Sequence, residues 1–400
     1  MILSKKNYKM EEGMLMNNPV SILVLGGGAG GVITANLLRK GLPTNRAKIT
    51  LIDREANHVF LPSLLWLITG NRKEQQISRS LKTLEKKGID VIKGEIEKID
   101  YETRTVHVDG KSISADYIII SLGADLSTEE IPGLDSGLSF YDLANAQLLE
   151  SKLRDFKKGH LVVLTASPVY KCPAAPYEVA MLINSHFNKN GLGSDVKISF
   201  YAAEPMPMGT AGKDVSQGLL NMLSEKNIAY YPQHKISHVA PSTKTLSFDN
   251  GEEVSYDFLV QVPPHKLPKV LQNAPIIGSS GWVNVNSDTL ETNIPGIYAL
   301  GDAVGIPLPS GKMLPKAGVF AHDQAKVIAN NLINKLTGKG QPIQFNGHGG
   351  CFVEIGDGKA GFAKGDFFAS PLPVIKAYKP AIHWHLGKLL FEKMWFRMWF

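Results

Sequence analysis

The chain holds only two cysteines in 400 residues, Cys172 and Cys351, set 179 positions apart. Cys172 lies in Val169-Tyr-Lys-Cys-Pro-Ala-Ala-Pro-Tyr-Glu178 and Cys351 in Gly349-Gly-Cys-Phe-Val-Glu354. Thiols either exchange electrons with disulfides or sit in a core as small apolar side chains. Two sulfurs exclude a multi-bridge scaffold and a four-cysteine zinc site, and they allow one intramolecular disulfide at most. Both lie downstream of a glycine-rich segment at Gly26. A lone thiol pair in a nucleotide-binding chain points to a flavin enzyme that passes electrons through a disulfide.

The elements that would position these groups begin with a nucleotide fingerprint. Residues 21–25 (Ser-Ile-Leu-Val-Leu) read as a buried parallel strand, and Gly26-Gly-Gly28-Ala-Gly-Gly31 follows at once, before helical character over 32–40. In this spacing Gly26 permits the tight turn, Gly28 lets a pyrophosphate approach the backbone, and Gly31 allows close helix–strand packing. The helix N-terminus adds unpaired N–H groups and the positive end of a dipole. A second strand, residues 48–52, ends at Asp53, 27 positions after Gly26. A carboxylate there can accept hydrogen bonds from a ribose; the alternative is a solvated charge at a strand end.

A second doubly wound unit is expected from residues 159–165, with a helix over 177–188 and strands over 196–201 and 256–260. Asn250-Gly251 marks a hairpin turn. Where a nicotinamide-binding unit would repeat the glycines, this chain reads Ala166-Ser-Pro-Val-Tyr-Lys-Cys-Pro-Ala-Ala-Pro176. Prolines stiffen that loop and remove N–H donors, which makes a poor pyrophosphate cradle. Glu204, at the position of a ribose acid, is then expected to be solvated or structural.

Composition bounds the rest. Hydrophobic residues make up 44% and charged residues 20%, which are globular values. The net charge of +6 is not gathered into a basic run interleaved with aromatics, so nucleic acid is not an expected partner. No apolar run approaches the roughly 18 residues of a membrane-spanning helix, and residues 1–17 read as a mobile leader without the apolar core of a signal peptide. The eleven histidines form no metal-ligand spacing, and His383-Trp-His385 places its rings on different helix sides. The end of the chain differs. On a helical wheel Trp384, Phe391, Met394, Trp395 and Met398 share one face, Lys393 and Arg397 the other, with Lys388 and Glu392 at the rim. Such a helix suits a lipid interface, or it docks on the protein's own core or another subunit.

Two further segments carry a resemblance. Asp116-Tyr-Ile-Ile-Ile-Ser-Leu-Gly-Ala124, with Gly123, and Thr292-Asn-Ile-Pro-Gly-Ile-Tyr-Ala-Leu-Gly-Asp-Ala303, with Gly301 and Asp302, resemble the two-part FAD site of the disulfide-reductase-like flavoproteins. That likeness covers roughly residues 18–335. Cys172-Pro-Ala-Ala-Pro-Tyr-Glu178, Leu314-Pro-Lys-Ala-Gly-Val-Phe-Ala321 and Gly350-Cys351 are similar to the sulfide:quinone oxidoreductases and the flavin subunit of flavocytochrome c sulfide dehydrogenase. Many of these carry a third cysteine where this chain has Ser139-Phe-Tyr-Asp142, and some tether FAD through a cysteine near Phe60-Leu-Pro62, absent here.

The resemblance implies an α/β fold of two doubly wound Rossmann-like domains, the FAD domain interrupted by a degenerate nucleotide-binding-like domain, with a C-terminal amphipathic helical tail. The divisions are 18–150 and 279–338 for the FAD domain, 151–278 for the domain with Cys172, and 339–400 for a region with Cys351 and membrane-interface helices. It implies non-covalent FAD, with Asp302 at the ribityl–pyrophosphate part and Lys316 beside the pyrimidine ring; the competing reading of Lys316 is a surface lysine at a helix start. It implies that Cys172 and Cys351 form a redox disulfide, Cys172 receiving sulfide and Cys351 passing electrons to the flavin, then to a quinone. Phe320 and Phe352 can flank such a ring or be core residues. Glu178 can serve as a proton acceptor or as a first-turn acid complementing the helix dipole. The implied protein lies on the cytoplasmic face of a membrane, with a homo-oligomer left open. Cytochrome c as acceptor, NADH as donor, and a flavin-binding sensor or scaffold without turnover remain as alternatives.

Overall fold

The computed structural model describes residues 19–400, so the expected leader lies outside the described residues. Its first sheet is five-stranded and parallel, in the order Ile297–Ala299, Tyr117–Ile120, Val20–Leu25, Ala47–Asp53, Asp90–Lys93. Strands buried on both faces need continuous apolar runs, and Ile22, Val24, Leu25, Leu51, Ile119 and Ile120 are all fully enclosed. Each such side chain contributes about 1.5–3 kcal/mol relative to exposure. The strand at 297 joins a sheet begun at 20, so the chain leaves this unit and returns to it.

The excursion builds a four-stranded parallel sheet, ordered Ala229–Tyr231, Val196–Ala202, Gly159–Thr165, Phe258–Val262. Both units carry a three-stranded antiparallel meander, over 96–114 in the first and 236–255 in the second. This mixed α/β architecture of parallel sheets is the expected fold class. The expected hairpin at Asn250-Gly251 closes the second meander, with Gly251 at φ +86°.

The C-terminal region departs from the helical expectation. It opens with an antiparallel sheet, His348–Gly356, Lys359–Asp366 and Val374–Ala381, and only then forms one helix, Ile382–Trp399. That helix also sits differently from its wheel. Lys388, Glu392, Trp395, Phe396 and Trp399 are buried, while Ile382, Leu386, Leu390, Phe391, Met394 and Met398 are exposed. Trp395 therefore leaves the expected apolar face, and the two rim charges point inward. The reason lies far off in the sequence: each buried charge meets an opposite charge on the body of the protein, as described next. Among the described residues no helix is long and apolar enough to cross a membrane.

Candidate functional site

The glycine loop is shaped by contacts that only glycine permits. Gly26 has φ +104°, and a Cβ on Gly31 would lie 1.8 Å from the Gly26 carbonyl oxygen. A Cβ on Gly28 would meet nothing within 4 Å, so the loop faces open space at the helix start. Asp53, at the end of its strand, accepts a short hydrogen bond from the Gly27 N–H and another from Glu55 N–H at 2.6 Å. A carboxylate has about four lone-pair sites, so acceptor capacity remains for a ribose. Gly123 also faces open space, and Gly301 turns at φ +74° with its N–H donating to Gln324 Oε1 at 2.7 Å.

His58, which sequence reasoning missed, braces this loop. Its Nδ1 lies 2.9 Å from the Gly27 carbonyl, and its Nε2 lies 3.0 Å from Trp395 Nε1. The indole only donates and the carbonyl only accepts, so the ring carries its proton on Nδ1 and is neutral. Burial agrees, lowering its pKa to about 4 against the opposing pull of the Gly27 carbonyl. The C-terminal helix thereby reaches the nucleotide loop through one histidine.

Lys316 is buried, so the surface-lysine reading is set aside. Its Nζ donates to the carbonyls of Asp302 at 2.7 Å and Val304 at 3.2 Å, and lies over the Trp282 ring. Burial pulls its pKa down to about 7, with the Asp302 carboxylate opposing. Asp302 is itself raised by burial, with Lys171 and Lys316 opposing. Near Cys172, Tyr141 Oη and His265 Nε2 are buried without a hydrogen-bond partner among the described residues. Unpaired buried polar groups are costly and uncommon, and these would be matched by the polar edge of a bound cofactor. Together with the open glycine cradle, this donor and acceptor set fits FAD.

Cys172 sits at φ +50°, a left-handed position uncommon for a residue with a side chain. Its N–H donates to the Lys316 carbonyl at 2.6 Å, and its own carbonyl accepts from Ala175 N–H at 2.9 Å, starting the helix Ala175–Lys189. Cys351 lies on the first strand of the C-terminal sheet, opposite Ala363, its thiol donating to the Phe352 carbonyl at 3.3 Å. Both are free thiols. Burial raises the Cys351 pKa to about 12, with the charge of Glu178 adding and that of Lys388 opposing. Cys172 is raised well above the ordinary range by burial first, then by the nearby Cys351 and Glu178. The charge of Glu178 thus acts on both thiols, and Glu178 is bonded to the backbone of the Cys351 strand.

Glu178 is buried in the first turn of its helix and does more than complement a dipole. Its Oε1 accepts from the Glu354 backbone N–H and from Lys388 Nζ, each at 2.7 Å. One carboxylate therefore ties the helix after Cys172, the strand of Cys351 and the C-terminal helix. Glu354 continues the cluster, both carboxylate oxygens lying 3.0 Å from His385 Nδ1. Further along the helix, Glu392 takes Arg72 Nε at 3.0 Å and Ser63 Oγ at 2.5 Å. Lys388, Glu354 and His385 escaped sequence reasoning. The available signal was that His385, Lys388 and Glu392 fall on one helical stripe with Trp395 and Trp399, charges in line with large apolar rings rather than on a solvated face.

The quinone candidates separate. Phe320 belongs to the core, edge-on to Phe367 and packed against Gly349. Phe352 is only partly buried, tilted against Phe362 and close to Gly387 of the C-terminal helix. In the second unit Glu204 is not solvated: Thr165 Oγ1 donates to it at 2.8 Å, and Tyr170 and Tyr177 hydroxyls at 2.7 Å each. Three of its roughly four acceptor sites are taken by the protein, which leaves little for a nicotinamide ribose.

With this geometry in place, comparison with known proteins gives a consistent answer. The mitochondrial sulfide:quinone oxidoreductase of Mus musculus is 25% identical over 374 residues, covering 89% of this chain and 80% of that one. The sulfide-quinone reductase of Aquifex aeolicus is 28% identical over 392 residues, covering 93% and 89%. The crystal structure of the sulfide:quinone oxidoreductase from Aquifex aeolicus superposes with a TM-score of 0.83 at 26% identity, covering 94% of this chain and 90% of that one. Residues 20–325, which contain both parallel sheets, the glycine loop and Cys172, match the model for pyridine nucleotide-disulphide oxidoreductases, and the chain belongs to that family.

Proposed function

We propose that this chain oxidises sulfide through Cys172 and Cys351 and passes the electrons by way of FAD to a quinone at a membrane surface. The observation that supports the reading is that Glu178 and Lys388 act on both of the chain's cysteines, while the Cys172 N–H is held by the carbonyl of Lys316, whose ammonium bonds the Asp302 carbonyl. The family is one of FAD-dependent flavoproteins. FAD, held by the glycine loop, Asp53, Gly123, Gly301 and Asp302 and neighboured by Lys316, supplies the two-electron acceptor.

In the oxidised form Cys172 and Cys351 share a disulfide. Hydrosulfide attacks the Cys172 sulfur, the S–S bond breaks, and the products are a Cys172 persulfide and a Cys351 thiolate. Attack needs a thiolate leaving group, and Lys388 is the cation that offsets burial at both sulfurs. Glu178 lies where it can take a proton released from the sulfur species, with Lys388 holding it in place. A second hydrosulfide takes the persulfide sulfur as hydrodisulfide and leaves the Cys172 thiolate; the two thiolates would then re-form the disulfide, their electron pair going to FAD.

We assign residues 18–150 and 279–338 to the FAD domain, 151–278 to the domain carrying Cys172, and 339–400 to the region that closes the site with Cys351. The exposed Ile382, Leu386, Leu390 and Met394, with Leu372 and Val374 at the start of the adjoining strand, support contact with a lipid surface. A quinone dissolved there would arrive beside the partly buried Phe352.

The test is anaerobic mixing of the yellow protein with sulfide, and separately with NADH, while the flavin absorbance is followed. Bleaching by sulfide, restored by a soluble quinone and lost in Cys351→Ala, is expected. Bleaching by NADH alone would overturn the proposal, since Glu204 and the proline-rich loop leave no cradle for that cofactor.

A further inference from the structure

We propose that the groove between the end of the helix Ala29–Gly41, the segment Leu81–Lys87 and the end of the C-terminal helix binds the phosphate head group of an anionic phospholipid. The groove measures about 430 Å³, within the roughly 300–1,000 Å³ of small-molecule sites, and is lined by Arg39, Lys40, Lys87, Asn36, Met398 and Trp399. Three cations and no carboxylate form its wall. This inference rests on the membrane reading of the C-terminal helix and adds a specific head-group contact to it.

Cations at a helix C-terminus ordinarily need no further account, since they complement the dipole. Here the arrangement goes beyond that. Arg39 already spends both terminal nitrogens on the carbonyls of Leu42 and Ala47, at 2.8 Å each. Its Nε and the Trp399 indole Nε1 are buried without partners among the described residues. Lys87 comes from a different segment, its Nζ 3.0 Å from Asn36 Oδ1, and Asn36 Nδ2 in turn donates to the Trp399 carbonyl at 3.2 Å. Asparagine thus stitches one cation to the end of the C-terminal helix. Burial lowers the pKa of Lys87, and that of Arg39 with the Asp90 carboxylate opposing, so both cations are partly withdrawn from water.

Position selects a lipid as the anion. Met398 lines the groove and also ends the exposed apolar stripe formed by Ile382, Leu386, Leu390 and Met394. If that stripe meets acyl chains, the groove lies at head-group level, where tryptophan and basic side chains gather. Phosphate is the group common to all anionic glycerophospholipids, and its oxygens suit ammonium and guanidinium donors.

The experiment uses the flavin-loaded full chain and co-sedimentation with two vesicle types, phosphatidylcholine alone and phosphatidylcholine mixed with phosphatidylglycerol. A juxtamembrane cation is worth roughly fivefold in partitioning, so Lys40→Gln with Lys87→Gln should lose roughly 25-fold of the phosphatidylglycerol-dependent binding. Lys82→Gln with Lys86→Gln removes the same charge from the same segment outside the groove and should lose much less. Unchanged sulfide bleaching in all variants certifies their folding. Equal losses in both double variants would overturn the groove in favour of diffuse attraction, leaving the membrane reading standing. Binding to neither vesicle type would overturn both. Stabilisation by inorganic phosphate that depends on Lys87, without any effect of the variants on vesicles, would make this a soluble-anion site and overturn the lipid assignment.

Discussion

Replacing Lys388 by methionine isolates the contact on which the site is assembled. The side chain keeps its length and apolar stem but loses the charge that lies 2.7 Å from Glu178 Oε1, in a pair whose side chains are 5% and 2% exposed. Removing one partner of a buried pair leaves an uncompensated charge and costs about 3–5 kcal/mol. Lys388→Met should therefore lower the unfolding free energy by that amount in urea. Glu178→Gln with Lys388→Met should recover most of it, because the amide oxygen can still accept the Glu354 N–H while neither charge remains. The same change removes the cation that offsets burial at Cys172 and Cys351, so sulfide should bleach the flavin more slowly in both variants.

The pH dependence carries a sign. Burial alone would lower Lys388, but Glu178 and Glu354 outweigh it and its pKa is raised. A raised lysine contributes fully below its ordinary value of about 10.5 and loses that contribution only as pH climbs through the raised value. The difference between wild type and Lys388→Met should therefore be flat from about pH 6 to 9. A cost below about 1 kcal/mol, or a double variant no more stable than the single one, would refute the claim that this pair joins the C-terminal helix to the cysteines.

Cys351→Ser should retain flavin yet abolish bleaching by sulfide, read in an anaerobic cuvette. His58→Gln should flatten the acid limb of stability: a histidine lowered from its ordinary value of about 6.5 to about 4 loses roughly 3 kcal/mol of support as pH falls across that window. Equal acid sensitivity with and without the histidine would count against its buried, neutral role. Trp395→Phe, which leaves His58 Nε2 without its donor, should cost about 1–3 kcal/mol and weaken flavin retention, measured by dialysis and absorbance.

The first sheet and the nucleotide loop were legible because their signals are local. A glycine is demanded at 26 by its φ and at 31 by a neighbouring carbonyl, and the continuous apolar run before them can only be a strand buried on both faces. The placement of Cys172 in the turn between the strand Gly159–Thr165 and the helix Ala175–Lys189 was legible from the glycines missing there. What escaped was long-range. Lys388 and Glu178 are separated by 210 positions, and nothing in either segment names the other. The helical wheel of 382–399 ranked residues by hydropathy, and hydropathy assigns a lysine to solvent unless its partner is known. His58 escaped for the same reason, since its two hydrogen bonds go to a glycine carbonyl and to an indole near the chain's end.

These long-range contacts give the C-terminal helix a role that its exposed apolar side alone would not suggest. Along its inner stripe, Lys388 meets the carboxylate beside the thiols, His385 meets Glu354, Glu392 meets Arg72, and Trp395 holds the histidine that braces the nucleotide loop. Its outer stripe is left to residues that gain by leaving water. A helix that buries Lys388 and Glu392 while exposing Leu386, Leu390 and Met394 gains nothing from that exposed apolar surface on an isolated protein in solution. It becomes favourable when a lipid surface covers the outer stripe. Binding energy at the membrane and correct placement of Lys388 against Glu178 are then linked through one rigid element. On the proposed membrane reading, coupling between the two stripes is reciprocal: stronger seating of this helix on the protein would strengthen its presentation to the membrane. Lys388→Met should therefore weaken vesicle binding although the residue is buried away from the lipid-facing side, and full retention of vesicle binding in that variant would show the two stripes to be independent.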